Sequence, residues 1–302
     1  MKGKDATSRH EFGGGWTEEK LARIKKYLQA YTTIFSANPR ARTFQTIYVD
    51  AFAGTGQRSA KKEKIKNSPV FPEWEDSQTQ AFLKGSSRIA LETTPSFKKF
   101  LFIEREADYA AELEKLRAAF PEKASSIQIV NKEANAFLKQ WCHETDWNST
   151  RAVVLLDPYG MQVEWALIEA LANTEAIDLW ILFPLGMAVN RLLTTEHPPE
   201  DAWANVLTRF FGTATWKDAF YRKDAQLRFP GAELESVTKD ADYETIGQFF
   251  INRLRTVFTQ VASNPLTLRN SVNVPLYLLC FAAGNSRGAP IAVKIAQDIL
   301  KP

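Results

Sequence analysis

The segment that most constrains the fold is a short apolar run, residues 152–156, that ends at Asp157-Pro158-Tyr159-Gly160. A β-branched apolar run that stops at a proline is typical of a buried strand that ends abruptly. In open α/β sheets, ligands bind in the crevice outside the carboxyl ends of the strands. A carboxylate, a carbonyl and an aromatic ring would meet a ligand there, and such a set suits a planar amine. The alternative is a plain strand-to-helix turn, since Asp, Pro and Gly are ordinary turn residues.

Strand and helix patterns alternate along most of the chain. Predicted strands cover residues 44–52, 100–104, 127–131, 152–156 and 177–183, and predicted helices cover 17–37, 107–120, 134–142 and 163–172. This alternation predicts a mostly parallel sheet with helices on both faces. Two later strands, 266–274 and 276–282, are close enough in sequence to form an antiparallel hairpin, and residues 290–300 predict a last helix.

The 302 residues are enough for one large α/β domain. We predict a flexible N-terminus at 1–16 and one domain over 17–302. That domain carries a basic loop at 57–80 and a helical insertion at about 185–240, with short helices at 203–211 and 216–222; a longer helix follows at 243–261. The basic loop is either a solvated segment or a segment that contacts phosphates.

Composition sets limits on the class of protein. A hydrophobic fraction of 45% is ordinary for a globular chain, and a net charge of +3 permits a nucleic-acid partner without arguing for one. The two cysteines lie in apolar surroundings and predict buried free thiols in a reducing compartment. The three histidines lack metal-ligand spacing. Without a signal peptide or a long apolar span, we expect a cytoplasmic protein with no metal and no membrane association.

The first predicted strand runs into Asp50-Ala51-Phe52-Ala53-Gly54-Thr55-Gly56. Glycines at this point let a ligand approach the backbone. Ser59 stands where the third glycine of a G-x-G-x-x-G motif belongs, which argues against a dinucleotide pyrophosphate site. The alternative is a tight turn that needs glycine for its own geometry.

Acidic residues follow the second and third predicted strands. Glu104 is placed to accept the two hydroxyls of a ribose, or else it forms a surface ion pair or caps the next helix. Glu133-Ala134-Asn135 can accept from an adenine amine, or else Glu133 is an ordinary helix N-cap.

Together, these strand ends in this order are the signals of a class I S-adenosylmethionine (SAM)-dependent methyltransferase. The predicted fold is a Rossmann-like class I methyltransferase sheet, mostly parallel, with a C-terminal antiparallel hairpin and a helical insertion. The predicted catalytic residues are Asp157, Pro158 and Tyr159. The predicted cofactor-binding residues are Asp50, Phe52, Ala53, Gly54, Gly56, Glu104, Glu133, Ala134, Asn135 and Asp157.

The chain also resembles the three-Cys-motif partner protein (TcmP) family over nearly its whole length. The matching residues are Trp16-Thr17, Lys20-Leu21, Tyr27-Leu28, Tyr31, Tyr48 to Gly56, Gly85-Ser86, Phe102 to Glu104, Leu156 to Gly160 and Pro275 to Leu278. The resemblance implies a protein partner of radical-SAM type that carries the three cysteines.

The Asp157–Gly160 segment is similar to the Asp-Pro-Pro-Tyr and Asp-Pro-Phe-Gly signatures of methyltransferases that act on the amines of nucleic-acid bases. Tyr159 stands one residue earlier than the aromatic residue of the first signature. We therefore expect methyl transfer to an amine of a nucleobase or of another planar group. The alternative is a non-catalytic SAM-binding scaffold that serves the three-cysteine partner.

Overall fold

The computed structural model describes residues 15–53, 85–224 and 236–301. Gly54, Gly56 and the basic loop 57–80 lie outside these ranges. The strands are β1 (Gln45–Asp50), β2 (Lys99–Ile103), β3 (Ile127–Val130), β4 (Thr150–Leu156), β5 (Ile177–Phe183), β6 (Tyr221–Asp224), β7 (Ser236–Lys239), β8 (Gln260–Val261), β9 (Leu266–Arg269) and β10 (Pro275–Ala283).

Helices connect most of these strands. They are α1 (Gly15–Ala37), α2 (described over 85–92), α3 (Ala107–Ala118), α4 (Ala134–Glu144), α5 (Trp165–Asn173), α6 (Asn190–Leu192), α7 (Asp201–Phe211), α8 (Trp216–Phe220), α9 (Tyr243–Arg255) and α10 (Ala289–Ile299). A short π-helical turn, Leu185–Val189, leads from β5 into α6.

The main sheet has the strand order β3-β2-β1-β4-β5-β10-β8, and β9 also pairs with β10. Strands β1 to β5 run parallel to one another. Strand β10 runs antiparallel to β5, β8 and β9. The predicted parallel sheet with an antiparallel C-terminal hairpin is therefore confirmed.

Alternate residues of the central strands enter two separate hydrophobic cores, one on each face of the sheet. On β4, Val154 and Leu156 join the core formed with α4, α5, α7, α8 and α9, whereas Val153 and Leu155 join the core formed with α1, α2, α3 and α10. A strand covered on both faces is apolar at every position, because its side chains point alternately to either side. This explains why the run 152–156 contains no polar residue.

Helix α1 lies on the second of these faces. Its buried residues Ile24, Leu28 and Tyr31 recur at helical spacing, and the Tyr27 ring packs edge-on against Trp180 of β5 with ring centroids 5.2 Å apart. The Tyr27 hydroxyl donates a hydrogen bond of 2.7 Å to Asp178 near the start of β5. Apolar packing and this polar contact therefore both hold the helix to the sheet.

Three predicted segments differ from the structure. The strand predicted over 266–274 ends at Arg269, and no strand covers residues 270–274. The other two are predicted helices that end earlier than expected. Arg222, predicted to be helical, lies in β6, where it pairs with Thr238 of β7 in a two-stranded antiparallel sheet. The predicted helix 243–261 ends at Arg255, and Val261 instead pairs with Ala282 of β10. In both places, hydrogen bonds to a strand distant in sequence override a local pattern that continues the helix.

Both cysteines, Cys142 and Cys280, are buried free thiols, as predicted. Within the described ranges, no helix combines the length and the apolar character needed to cross a membrane.

We predict that Gly212→Ala lowers the free energy of unfolding. Gly212 follows α7 with φ of 68°, and a Cβ there would lie 2.0 Å from the Trp165 ring of α5. The left-handed conformation alone costs a non-glycine residue about 1–2 kcal/mol, and the clash adds to this. Chemical denaturation measures the effect. Gly15→Ala, where a Cβ meets no atom within 4 Å, is the matched control; equal stability of the two variants would contradict the prediction.

Candidate functional site

The carboxyl ends of β1 and β4 form the centre of the candidate site. These strands are neighbours, and the chain order reverses between them, since β2 and β3 lie beyond β1 while β5 lies beyond β4. Asp50 ends β1, and Asp157 directly follows β4. A reversal of strand order is where open α/β sheets bind their ligands.

The side chain that meets Asp157 comes from α1. Lys20 Nζ lies 3.3 Å from Asp157 Oδ1 and 3.2 Å from Oδ2, so one ammonium bridges both carboxylate oxygens. The Lys20 side chain is 1% exposed and that of Asp157 is 8% exposed. A lysine buried this deeply needs an anionic partner to offset the loss of its hydration.

Burial and pairing act in opposite directions on these two groups. Burial lowers the pKa of Lys20 to about 8, although the nearby Asp157 carboxylate acts to raise it. Burial raises the pKa of Asp157, and the Lys20 charge opposes that rise. Each partner therefore favours the ionised form of the other.

Asp50 has a different set of neighbours. The Ser86 and Ser87 hydroxyls of α2 donate hydrogen bonds of 2.7 and 3.2 Å to its Oδ2. Burial raises the pKa of Asp50 to about 6, an effect that the Ser86 hydrogen bond opposes and that the Asp157 charge adds to. The two acids thus lie within electrostatic reach of each other, but different helices hold them.

Aromatic rings surround the ion pair. Lys20 Nζ lies 5.0 Å from the Trp16 ring centroid, and Trp16 in turn packs against Tyr277 of β10 at 5.1 Å. Tyr159 is 43% exposed. Burial raises the pKa of Tyr277, and Asp157 and Tyr159 both act in the same direction. The acid is therefore bordered by rings, one of which is open to solvent.

The structure explains the form of the segment after β4. Pro158 is buried, whereas Tyr159 is exposed. Gly160 has φ of 66°, a conformation that L side chains rarely adopt, which accounts for the glycine. The turn thus separates a buried acid and proline from a ring that faces the solvent.

The backbone after β1 is tied between its neighbours. Ala51 N–H donates to Leu155 O at 3.1 Å, and Ala53 N–H donates to Ile103 O at 2.9 Å. Ala53 is buried and Phe52 packs against the core on the opposite face. The predicted cofactor contacts Phe52 and Ala53 therefore lie at the same sheet edge as Asp50, where the glycine segment begins.

Glu104 is buried at the end of β2, the strand beside β1. Its Oε1 accepts a hydrogen bond of 2.6 Å from the Glu106 N–H, at the residue before α3. Arg105 pairs with Glu106 instead of Glu104, at 3.3 Å on the surface. The carboxylate is thus oriented by the chain turn that follows the strand, at the edge of the same crevice.

Glu133 and Asn135 are engaged within the protein itself. Glu133 is the N-cap of α4, and its carboxylate accepts from the N–H groups of Asn135 and Ala136 at 2.8 and 2.7 Å. The buried Asn135 side chain donates to Gln162 O at 2.9 Å and accepts from Glu164 N at 2.9 Å. Together with the buried Ala134, they join α4 to the segment after β4. The N-cap interpretation of Glu133 is therefore what the structure shows, and adenine contact remains a prediction.

The sequence interpretation missed Lys20 as a site residue. The signal was present, because Lys20 precedes Ile24 by four residues and follows Thr17 by three, and all three are on the buried face of α1. A lysine in the apolar stripe of a helix predicts a buried partner. Ser86 and Ser87 gave no comparable signal, since serine is common at the start of a helix.

The donor set fits the groups that SAM carries. Glu104 and Asp50 end neighbouring strands, and carboxylates are acceptors for the hydroxyl and ammonium groups that a nucleoside-linked amino acid carries. Among residues 15–53, 85–224 and 236–301, no cluster of three His, Cys, Asp or Glu side chains is arranged to hold a metal ion.

No protein-family model and no curated protein matches the sequence. Among solved structures, protein LPL1258 from Legionella pneumophila, of the DUF519 family model, is 12% identical over 96% of this chain and 92% of its own, with a TM-score of 0.49. A candidate SAM-dependent methyltransferase from Listeria monocytogenes is 12% identical over 88% of this chain and 98% of its own, with a TM-score of 0.37. A candidate methyltransferase, yhhF of Escherichia coli, is 10% identical over 87% of each chain, with a TM-score of 0.31.

At identities this low, the similarity to these structures concerns the fold alone. The strand order of the chain itself, with five parallel strands and an antiparallel strand beside β5, defines a mixed α/β sheet of the methyltransferase-like type.

We predict that Asp50→Asn becomes more stable relative to the wild type as pH rises from about 4 to about 6. Burial raises the Asp50 pKa from 3.8 to about 6, so in this interval the folded state holds a proton that the unfolded state has lost. The free energy of unfolding of the wild type then falls with pH, by about 2–3 kcal/mol in total from this group, and levels off above pH 6. Asparagine does not titrate, so this contribution to the pH dependence of the free energy of unfolding is absent from the variant.

Urea denaturation at a series of pH values measures the difference. Asp218→Asn, at an exposed position on α8, is the control and should follow the wild type. A difference between Asp50→Asn and wild type that stays constant across the interval would contradict the assignment.

Proposed function

We propose that this protein is a SAM-dependent methyltransferase whose acceptor is an amine of a nucleobase or of another planar group. The observation that carries the proposal is the position of Asp50 and Asp157, which follow neighbouring strands on the two sides of the strand-order reversal. Both side chains point to the face that carries α1 and α2, where Lys20 and Ser86 meet them.

SAM, when bound, supplies a methyl group on a positively charged sulfur. We assign Glu104 to the ribose hydroxyls, and Asp50 with the turn through Phe52, Ala53, Gly54 and Gly56 to the methionine part. Glu133, Ala134 and Asn135 are assigned to the adenine side. These assignments follow the order of the strand ends along the sheet.

The chain's own residues would act mainly by orientation. Asp157 and the Pro158 carbonyl accept the N–H groups of the acceptor amine, which turns its lone pair towards the methyl group. The exposed Tyr159 ring stacks on the planar acceptor. With SAM bound, the acceptor nitrogen would gain the methyl group, the sulfur would keep the electron pair of the broken C–S bond, and water would take the surplus proton. Alignment of this kind supplies a large part of a rate enhancement.

The proposal extends to the partners expected from the sequence. A nucleic-acid acceptor in duplex form would have to present its base out of the stack before Asp157 reaches it. A three-cysteine protein of radical-SAM type is the proposed protein partner. If the chain binds SAM and this partner but transfers methyl to no acceptor, the non-catalytic scaffold alternative replaces the enzyme.

We predict that Glu104→Gln weakens SAM binding by about tenfold or more, because a charged acceptor contributes about 1.5–3 kcal/mol to a hydrogen bond with a hydroxyl. Isothermal titration calorimetry with SAM measures the dissociation constant. Glu106→Gln, two residues further on the surface, should bind like the wild type. Equal affinity of both variants would remove Glu104 from the site.

We predict that Asp157→Ala lowers methyl transfer by at least about 100-fold, since the acceptor amine loses the group that orients it. The assay follows transfer from SAM labelled in its methyl group to total cellular RNA, DNA and protein. The same substitution removes the carboxylate that the buried Lys20 ammonium bridges and should cost about 3–5 kcal/mol of stability, so circular dichroism must first show that the variant is folded at the assay temperature. Asp218→Ala is the control. Full activity in folded Asp157→Ala would contradict the assigned role.

A further inference from the structure

The bridging contact between Lys20 and Asp157 is a buried feature of the site that the proposed methyl transfer does not use. Lys20 comes from α1, far from β4 in sequence, and its ammonium reaches both oxygens of the acid that is assigned to hold the acceptor amine. Lys20 itself shares the buried face of α1 with the core residue Ile24. Lysine side chains are rarely buried unless they are paired, so a Lys20 side chain at 1% exposure indicates that its charge acts on a specific partner.

We propose that Lys20 is a positioning residue of the acceptor site, which keeps the Asp157 carboxylate ionised and fixes its plane so that it can accept an N–H of the acceptor amine. The positioning of the acceptor amine rests on the proposed function, methyl transfer. The effect of Lys20 on the ionisation of Asp157 is independent of that function and is measurable without any substrate.

Geometry allows both contacts at once. A carboxylate offers about four lone-pair positions on its two oxygens, and one bridging ammonium at 3.2 and 3.3 Å occupies one side of the group. The remaining positions stay available to an amine donor. Because Lys20 contacts both oxygens, the carboxylate cannot rotate about its Cβ–Cγ bond without losing one of the two contacts.

The surroundings of Asp157 make a cation necessary. Asp50 of β1 places a second acid within electrostatic reach, and the hydroxyls of Tyr48 and Tyr277 are each influenced by the Asp157 charge. Tyr159 acts electrostatically on Tyr277 in the same direction as Asp157 does. Lys20 is the cation that acts on Asp157 from α1, and burial without it favours the protonated acid. A protonated Asp157 would offer a donor where the acceptor amine also presents donors.

Trp16 helps to hold the lysine. Its ring lies 5.0 Å from Lys20 Nζ and packs on Tyr277 of β10, so the first turn of α1 is anchored beside β10 as well as β4. A cation over an indole face gains further stabilisation when it is withdrawn from water. The ammonium is therefore directed to Asp157 from a rigid platform.

The test follows the ionisation of Asp157 directly. Protein labelled with ¹³C at the aspartate carboxyl carbon is titrated with pH and observed by NMR, and the Asp157 signal is assigned by its loss in Asp157→Asn. In Lys20→Met we expect the Asp157 titration to move up by about 1–3 pH units. Lys20→Arg should restore most of the wild-type titration, and Lys25→Met, at an exposed position on the same helix, should leave it unchanged. An Asp157 titration in Lys20→Met equal to that of the wild type would overturn the proposal.

A reciprocal measurement covers the case in which Lys20→Met does not fold. The lysine Cε signals of wild type and Asp157→Asn are titrated, and Lys20 should lose its proton at lower pH once the carboxylate is gone. An unchanged Lys20 titration would also overturn the proposal.

Activity then separates positioning from a structural effect. Lys20→Met should lower kcat by about 100-fold with little change in the dissociation constant of SAM, and its rate should recover as pH rises and Asp157 ionises. A loss that does not depend on pH would contradict positioning. If the wild type transfers methyl to no acceptor, the proposed function fails, and the NMR titration still decides whether Lys20 controls Asp157.

Discussion

The organisation of the site depends on one buried ion pair, Lys20 with Asp157. Removing both charges from water is costly, and the cost is recovered only because the ammonium reaches both carboxylate oxygens. Removal of either partner is unfavourable, since a buried charge that loses its nearest counter-charge is costly. The pair therefore holds the N-terminal half of α1 over the carboxyl end of β4, and the packed rings of Trp16 and Tyr277 lie beside it.

The same helix makes a second contact of this kind at the opposite end of the sheet. Tyr27 lies seven residues after Lys20, about 10 Å further along the helix, and donates to Asp178 near the start of β5. Burial raises the pKa of Asp178 to about 6, and the Tyr27 hydrogen bond opposes that rise. Helix α1 thus runs antiparallel to the parallel strands and contacts a buried acid at two points along its length, which restricts its rotation about its own axis.

The sequence predicted the strands and their parallel direction, and it placed Asp50 and Asp157 at strand ends, because β1 and β4 carry strong apolar runs followed by turn residues. Even the common face of Asp50 and Asp157 follows from alternation, since each lies two residues beyond a side chain of the same core, Tyr48 and Leu155. What it could not supply were the contacts between helices and strand ends. Lys20 meets Asp157, and Ser86 meets Asp50, only because α1 and α2 are packed on that face.

Predictions from local chemistry were weakest where one residue type serves two purposes. From the sequence, Glu133 is equally consistent with a ligand acceptor and with a helix N-cap. The hydrogen bonds that its carboxylate accepts from Asn135 and Ala136 show that it caps α4. The end of α9 was misplaced for a related reason. The pairing of Val261 with Ala282 depends on β10, which follows it by more than ten residues and cannot be inferred from the helical pattern before it.

The charges at the strand-order reversal also bear on which ligands suit it. Among the described residues, the buried acids Asp50 and Asp157 share one buried lysine, Lys20, whose charge acts on both. When both acids are ionised, these three groups leave one net negative charge in a buried place, where its field is weakly screened. A cationic ligand would reduce that net charge. The charge of a sulfonium is permanent, because it cannot be removed by the loss of a proton. The imbalance left by a single lysine between two acids therefore favours the proposed cofactor over a nicotinamide dinucleotide, whose pyrophosphate is anionic.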